Sequence, residues 1–335
     1  MSLIPSTIPM FRISITQPLP PAAISDLAAI RQPYSLHARG MAFSDRHLAA
    51  LAREPFLHDL VLAETSVTDD GLAVLTPHAG LESIRLTGTP IRGPGLASLA
   101  RLPHLFELSL GRTRVDDASL AHLAGMRPLV RLDLYRTPIT DAGAVSLARI
   151  PNLNRLYVDR TAIGDQTLLA LAKKQRVWMS LSLRYTRITS SGLAASGLQA
   201  ADFYLAGTAI GDDAAPYLAL CEYVDRLDLS NTRFTDAGLP LLRGMQHLSY
   251  LQLRNLPLTD RGVLRLLHPD PTVQASLETP AECARALATL SFIQQPPYLW
   301  LFANDLQGTR VSRKLLEALE SERHKQRHNS WFPHP

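Results

Sequence analysis

The sequence predicts an α/β solenoid: a right-handed stack of short coils, with parallel strands lining a concave face and short helices on the convex one. Three observations predict it. The stretch from Leu129 to Leu147 reads LVRLDLYRTPITDAGAVSL, and its skeleton L-x-x-L-x-L-x-x-T-x-I-T-D-x-G-x-x-x-L recurs along the chain. The residue that closes each strand marks the register at Met41, Thr65, Thr89, Thr113, Thr137, Thr161, Thr186, Thr208, Thr232 and Leu256, in steps of 24 apart from one of 25 and one of 22. The chain has 335 residues, long for one compact core, whereas a fold that grows by repetition has no single core to saturate.

Each element of the coil follows from its residues. The L-x-L run alternates apolar and polar, as a half-buried strand does, so Leu132 and Leu134 point inward while Asp133 and Tyr135 point outward. The threonine hydroxyl is expected to bond backbone groups at the bend that follows. Ile139 or Val115 then turns back into the core. Thr68-Asp69, Thr140-Asp141, Thr235-Asp236 and Thr259-Asp260 are expected to cap the next helix, with the acid suited to the positive end of its dipole. The helix is short, with apolar residues three apart, such as Leu120 and Leu123 or Leu168 and Leu171. Gly71, Gly95, Gly143, Gly192, Gly238 and Gly262 share one helix position, which points to close packing between turns. Pro103, Pro128 and Pro151 punctuate the return to the next strand. This spacing is the leucine-rich-repeat signature.

The predicted organisation has three parts. Residues 1–32 form an N-terminal cap, with Ile13 and Ile15 as strand positions of a degenerate first unit and an Ala-rich helix from Ala22 to Ile30. Residues 33–310 form about twelve repeats, degenerate over 267–310, where further 24-residue steps fall on Pro280 and Asn304 and Ala275 and Leu277 take strand positions. Residues 311–335 form a capping helix and tail, the helix running from Ser312 to about His328 with Leu315, Leu316 and Leu319 on one side.

Composition narrows the function. The chain is 46% hydrophobic and 19% charged, with a formal net charge of +4, and its acids are spread along its length. That is a globular composition, and nucleic acid is not expected as a partner, because Asp133, Asp159 and Asp228 interrupt the basic residues. No run of about 18 apolar residues suggests a membrane span. Cys221 and Cys283 have no metal spacing and read as buried apolar residues. The paired acids Asp69-Asp70, Asp116-Asp117 and Asp212-Asp213 recur at one repeat position and read as helix caps, not as an acid–base pair. There is no HExxH, P-loop or GxSxG. The expectation is therefore a non-enzyme with no metal, cofactor or small-molecule substrate.

The outward strand positions are where the repeat does not dictate the residue. They gather two patches. The central one holds Asp133, Tyr135, Tyr157, Asp159, Arg184, Tyr204, Asp228 and Arg254, flanked by Arg131, Arg136, Arg155 and Arg160. The second holds Trp300 and Phe302, which either meet a partner or are covered by the Trp331-Phe332 tail. Tyrosine and arginine are enriched at binding hot spots, so a protein partner is expected here.

The helix segments His47-Leu-Ala-Ala-Leu-Ala52, Gly95-Leu-Ala-Ser-Leu-Ala100 and Gly143-Ala-Val-Ser-Leu-Ala148 look like the helices of GALA-type effectors from plant-pathogenic bacteria. More broadly, the units resemble short bacterial repeats of the ribonuclease-inhibitor class. The resemblance implies a protein-interaction scaffold, secreted into a host cell by a non-Sec route. Residues 1–25 contain no acid and are rich in Ser, Thr, Ile and Pro, in keeping with such export. One alternative is a bacterial cytoplasmic protein that masks a partner. Another is a substrate-recognition subunit of a ubiquitin-ligase-type complex, although only Leu19-Pro20-Pro21 is similar to the start of an F-box.

Overall fold

The computed structural model describes residues 11–15, 17, 20–24, 27, 29–40, 42–51, 54–76, 78–174, 176–268, 271–289 and 303–329. Met41, Leu290, Trp300, Phe302, Trp331 and Phe332 lie outside them. The chain forms two compact units, Met1–Ile163 and Gly164–Pro335.

Unit one contains strands β1 (Phe11–Ile15), β2 (Tyr34–Arg39), β3 (Leu57–Ala63), β4 (Ser83–Arg85), β5 (Glu107–Ser109), β6 (Arg131–Asp133) and β7 (Arg155–Tyr157). Each pairs in parallel with the next in sequence, so Leu60, Ile84, Leu108, Leu132 and Leu156 stand side by side. Unit two contains β8 (Val177–Ser182), β9 (Gln199–Tyr204), β10 (Arg226–Asp228) and β11 (Tyr250–Gln252), again parallel and in sequence order. A short helix or 3₁₀ turn follows nearly every strand. Within each unit this is the leucine-rich-repeat fold. The inward leucines are sealed: Leu132, Leu134, Leu156, Leu181 and Leu183 have no exposed surface.

The threonine column is a backbone device. From Thr65 to Thr232, eight successive threonines donate the hydroxyl to the carbonyl three residues earlier, at 2.6–3.3 Å. Each bond satisfies a carbonyl at the point where the strand ends, and such a bond contributes about 1 kcal/mol. The preceding residue turns left-handed in coil after coil. Glycine fills that position at Gly40, Gly88, Gly207 and Gly308, but Glu64, Arg112, Arg136, Arg160, Tyr185, Asn231 and Asn255 fill it elsewhere, with φ of 53–59°.

The aspartates that open the helices bond the next coil, and Thr68 and Thr259, expected as caps, make no side-chain cap bond. The carboxylate at the start of one helix reaches forward to the cap of the next coil. Asp117 accepts the Thr140 N–H at 2.8 Å and its hydroxyl at 2.6 Å. Asp45 does the same to Thr68, and Asp165 to Thr189. Asp212 and Asp236 do so to Thr235 and Thr259. Thr140 and Thr189 meanwhile cap their own helices by accepting from the Ala142 and Gly192 N–H groups.

The shared glycine is a consequence. A Cβ on Gly71, Gly143, Gly192, Gly238 or Gly262 would lie 1.9–2.6 Å from the carboxylate of the preceding coil's aspartate. Where that aspartate is replaced by Gly93, the next coil carries Ser119 in the glycine position, and Ser119 Oγ bonds the Arg92 carbonyl at 3.0 Å.

Two expectations are corrected. The Ala22-to-Ile30 helix is helical only over Pro21–Ile24, with 3₁₀ character at Leu27 and Ala29. The first of the two repeats placed over 267–310 is not a further strand, and the strand positions of the second, around Trp300 and Phe302, lie outside the described residues. Ala275 lies in the helix Pro271–Ser276, and the helix Pro280–Thr289 follows. The backbone partner of β11 and the bend after it is instead the segment 305–307. Leu253 N–H donates to Asp305 O and Asn255 N–H to Gln307 O, as Leu229 and Asn231 donate to Gln252 and Arg254. Leu306 fills the core position, and Thr309 closes the coil with its hydroxyl on Leu306 O at 2.6 Å. The register thus steps 53 residues from Leu256 to Thr309. Pro271 and Pro280 explain the departure: each opens a helix, where its missing N–H costs nothing. Arg261 and Arg265 both reach Glu278 at 2.6 Å, tying the inserted helices to the helix Asp260–Leu267.

The expected boundary at 310/311 falls inside this last coil. Ser312 N–H donates to Asp260 Oδ1 at 2.6 Å, the same forward reach, and the helix Arg313–Asn329 follows with Leu315 and Leu319 buried. Cys221 is buried, but Cys283 is only half-buried.

The junction makes a testable case. Asp165 is held by two bonds and cannot swing aside, so Gly192→Ala is expected to cost about 2 kcal/mol by overpacking. Asp165→Ala should cost about 2–3 kcal/mol by stranding the Thr189 donors. In the Asp165→Ala background Gly192→Ala should cost far less, because the atom it strikes is gone. Urea unfolding of the four proteins reads this, and simple additivity would refute it.

Candidate partner-binding surface

The outward side chains are held in place by one another. In unit one, Glu107 on β5 lies between two arginines: Arg85 donates at 3.0 Å and Arg131 Nε stands at 3.7 Å. The Arg131 guanidinium also lies over the Tyr157 ring, 4.7 Å from its centroid. Asp133 is committed locally. One oxygen accepts from Ser109 Oγ and the other from the Tyr135 N–H, both at 2.9 Å. Arg136 lies over the Tyr135 ring at 5.3 Å. Asp159, one coil on, is half-buried, and Arg160 is exposed. Glu64 receives Arg39 at 3.1 Å and Arg112 at 3.3 Å. Near the first strands, burial holds His37 below the usual histidine range although Asp59 stands 3.7 Å away and opposes it.

In unit two, Arg184 spans two coils. Its guanidinium lies 4.3 Å from the Tyr204 ring centroid and its Nε donates to Asp228 Oδ2 at 2.9 Å. Burial, helped by the charge of Asp202, pushes the Tyr204 hydroxyl above the usual tyrosine range. Asp228 is only 4% exposed, and its second oxygen accepts the Ser230 N–H at 3.1 Å. Asp228, expected among the partner-binding residues, is nearly buried and holds Arg184 in place. Arg254 stands a coil further on, 3.9 Å from Asp305, whose Oδ1 also accepts from the Tyr250 hydroxyl at 3.2 Å. Trp300 and Phe302 lie outside the described residues, so that patch stays an expectation.

The structure thus places Tyr135, Tyr157, Arg184, Tyr204 and Arg254 on the outward strand positions or the bends after them, and turns Asp133 and Asp228 into supports. The expectation missed Glu64, Glu107 and Arg112 on the face of unit one, and in unit two the buried Asp305 beside Arg254. Glu107 and Glu64 were discoverable, because they lie at the first strand position and the left-handed bend and recur with the same period. Asp305 was not, because the inserted helices displace it from the 24-residue register. Among the described residues, no group of three or more His, Cys, Asp or Glu gathers to hold a metal ion, and no helix is long and apolar enough to cross a membrane.

Removing the buried anchor should separate support from contact. Asp228→Ala is expected to lower unfolding stability by about 2 kcal/mol, the scale of a charged hydrogen bond lost in a buried position. Asp228→Asn should retain much of it. Equal stability of native and Asp228→Ala proteins in urea would show that the carboxylate supports nothing.

Comparison with known proteins agrees with the coil. A family model described as a leucine-rich repeat matches residues 125–148, which span β6 and the helix Ala144–Ala148. No curated relative matches the chain. Among solved structures it is similar to an internalin (inlF) from Listeria monocytogenes, at 17% identity and a TM-score of 0.49, covering 89% of this chain and 86% of that one. It is also similar to the plant peptide hormone receptor RGFR1 in complex with RGF2, at 12% identity and a TM-score of 0.41, over 76% of this chain and 48% of the receptor. A third is a TDR receptor, at 16% identity and a TM-score of 0.46, over 90% of this chain and 50% of the receptor. The chain spans about half the length of each of these two receptors.

Proposed function

We propose that this leucine-rich-repeat chain is a protein-binding scaffold that takes its partner on the outward strand side chains. One observation carries the reading. The positions that the repeat leaves free are filled by tyrosine rings lying under guanidiniums, at Tyr157 with Arg131, Tyr135 with Arg136 and Tyr204 with Arg184. Such pairs present rigid, amphipathic surface at low entropic cost, which is what binding hot spots use. The strand and threonine bonds maintain the fold without these side chains, so their identity serves something outside it.

A photo-crosslinking amino acid at Tyr157 in the full chain should capture a protein in the native cell, and the same residue at Val145, which is 54% exposed on the helix side, should not. Capture from Val145 alone, or from neither position, would overturn the reading. Tyr135→Ala with Tyr157→Ala should then weaken the captured complex by more than about 2 kcal/mol without unfolding the chain.

The finer reading is a bacterial effector that acts inside a host cell. What supports it is the likeness of the helix segments at His47, Gly95 and Gly143 to GALA-type helices. A translocation reporter fused to the full chain should enter host cells only when the bacterium has an intact type III apparatus. Entry without that apparatus, or none with it, would dispose of the effector role.

A further inference from the structure

We infer that unit one reads an acidic protein segment, with Arg136 and Arg155 receiving its carboxylates and Tyr135 and Tyr157 flanking them. This rests on the strand-face reading above and names the chemistry of its partner.

The first ground is an imbalance of charge. Each glutamate on this face is already shared, Glu64 by Arg39 and Arg112, Glu107 by Arg85 and Arg131. Asp133 is occupied by Ser109 and by its own bend. Among the described residues no carboxylate forms an ion pair with Arg136 or Arg155. Arg136 is exposed and Arg155 half-buried; they stand on neighbouring coils at opposite ends of the strand row, Arg155 beside Arg131 at the start of β7 and Arg136 in the bend after β6. Two guanidiniums at the two ends of a strand row suit carboxylates several residues apart on an extended peptide laid along the strand direction.

The second ground is strain. Arg112, Arg136 and Arg160 hold the left-handed bend in three consecutive coils, at φ of 59°, 53° and 56°. Glycine takes that position elsewhere without penalty, whereas a side-chain-bearing residue is disfavoured there by about 1–2 kcal/mol. Fold stability alone would favour Gly or Asn. Arginine retained at a strained position points to a use for the charge. A nucleic acid would share the attraction, and an oligothymidylate separates it from a peptide in the test.

The test is fluorescence anisotropy of the full chain with a short labelled peptide of alternating glutamate and leucine. Parallel arms use the same peptide with lysine for glutamate, and an oligothymidylate. The glutamate peptide should bind, weaken as salt rises, and lose about tenfold in affinity with Arg136→Ala and Arg155→Ala together. Arg101→Ala, on an exposed residue beside the helix Leu96–Leu99, should leave it unchanged. Arg136→Gly should lower affinity while the melting temperature holds or rises, a combination that a merely structural arginine would not give. Preferred binding of oligothymidylate, equal binding of the lysine peptide, or full affinity in the double variant would overturn the proposal. Binding of none of the three would overturn it too, and would leave the crosslinking result at Tyr157 to judge the scaffold separately.

Discussion

The forward reach of one aspartate organises everything else in this molecule. A carboxylate at the start of each helix would stabilise that helix alone through the dipole. At Asp45, Asp117, Asp165, Asp212 and Asp236 it also accepts both donors of the next coil's threonine, so those coils are tied to their successors by charge-assisted bonds. The carboxylate needs room, and the next coil supplies it by having no Cβ at the position it approaches. Three residue types that look like separate preferences in the repeat, Thr, Asp and Gly, are one contact distributed over two coils. The exceptions obey the same geometry. Gly93 and Ser119 exchange roles, with the side chain moved to the other coil and the space moved with it. Ser190 replaces an aspartate, and Gly211, which has only its N–H to offer, replaces the threonine it would have bound, at 2.9 Å.

This explains how much was legible in the sequence. Leucine spacing reveals strands because burial has a period of two, and Thr137, Thr161 and their counterparts reveal the bend because one hydroxyl satisfies one carbonyl. Those are local demands, repeated every coil, and a single chain displays them openly. The partner of Asp117 lies 23 residues away, so reading it as a cap for its own helix found the right helix end and missed the larger bond. The inserted helices were misread for a related reason. Period alone carried the register through Pro280 and Asn304, but backbone pairing is what defines a coil, and Thr309 rejoins the stack wherever the chain returns to it.

The candidate surface was legible in its aromatic and basic members and less so in its acids. Tyr135, Tyr157 and Tyr204 stand out because nothing in the repeat asks for a ring. Whether an aspartate faces outward or anchors an arginine depends on depth, and depth is not periodic: Asp228 is buried, although it shares its strand position with the half-exposed Asp133 and Tyr157. The same uncertainty does not touch the left-handed column, where the backbone angle is common to every coil and only the side chain varies. There the fold sets a cost for any residue other than Gly or Asn, and the proposed acidic partner gives Arg136 a use that offsets it.

The account separates side chains that hold coils together from side chains that face a partner, and a scan of all single substitutions in the displayed full chain tests that separation most directly. Folded abundance and binding of the glutamate–leucine peptide are read on the same library. The account predicts that the leucine, threonine, aspartate and glycine columns lower abundance, while Tyr135, Arg136, Arg155 and Tyr157 lower binding at normal abundance. Binding-specific positions clustered on the helices, or none apart from those that unfold the chain, would contradict it.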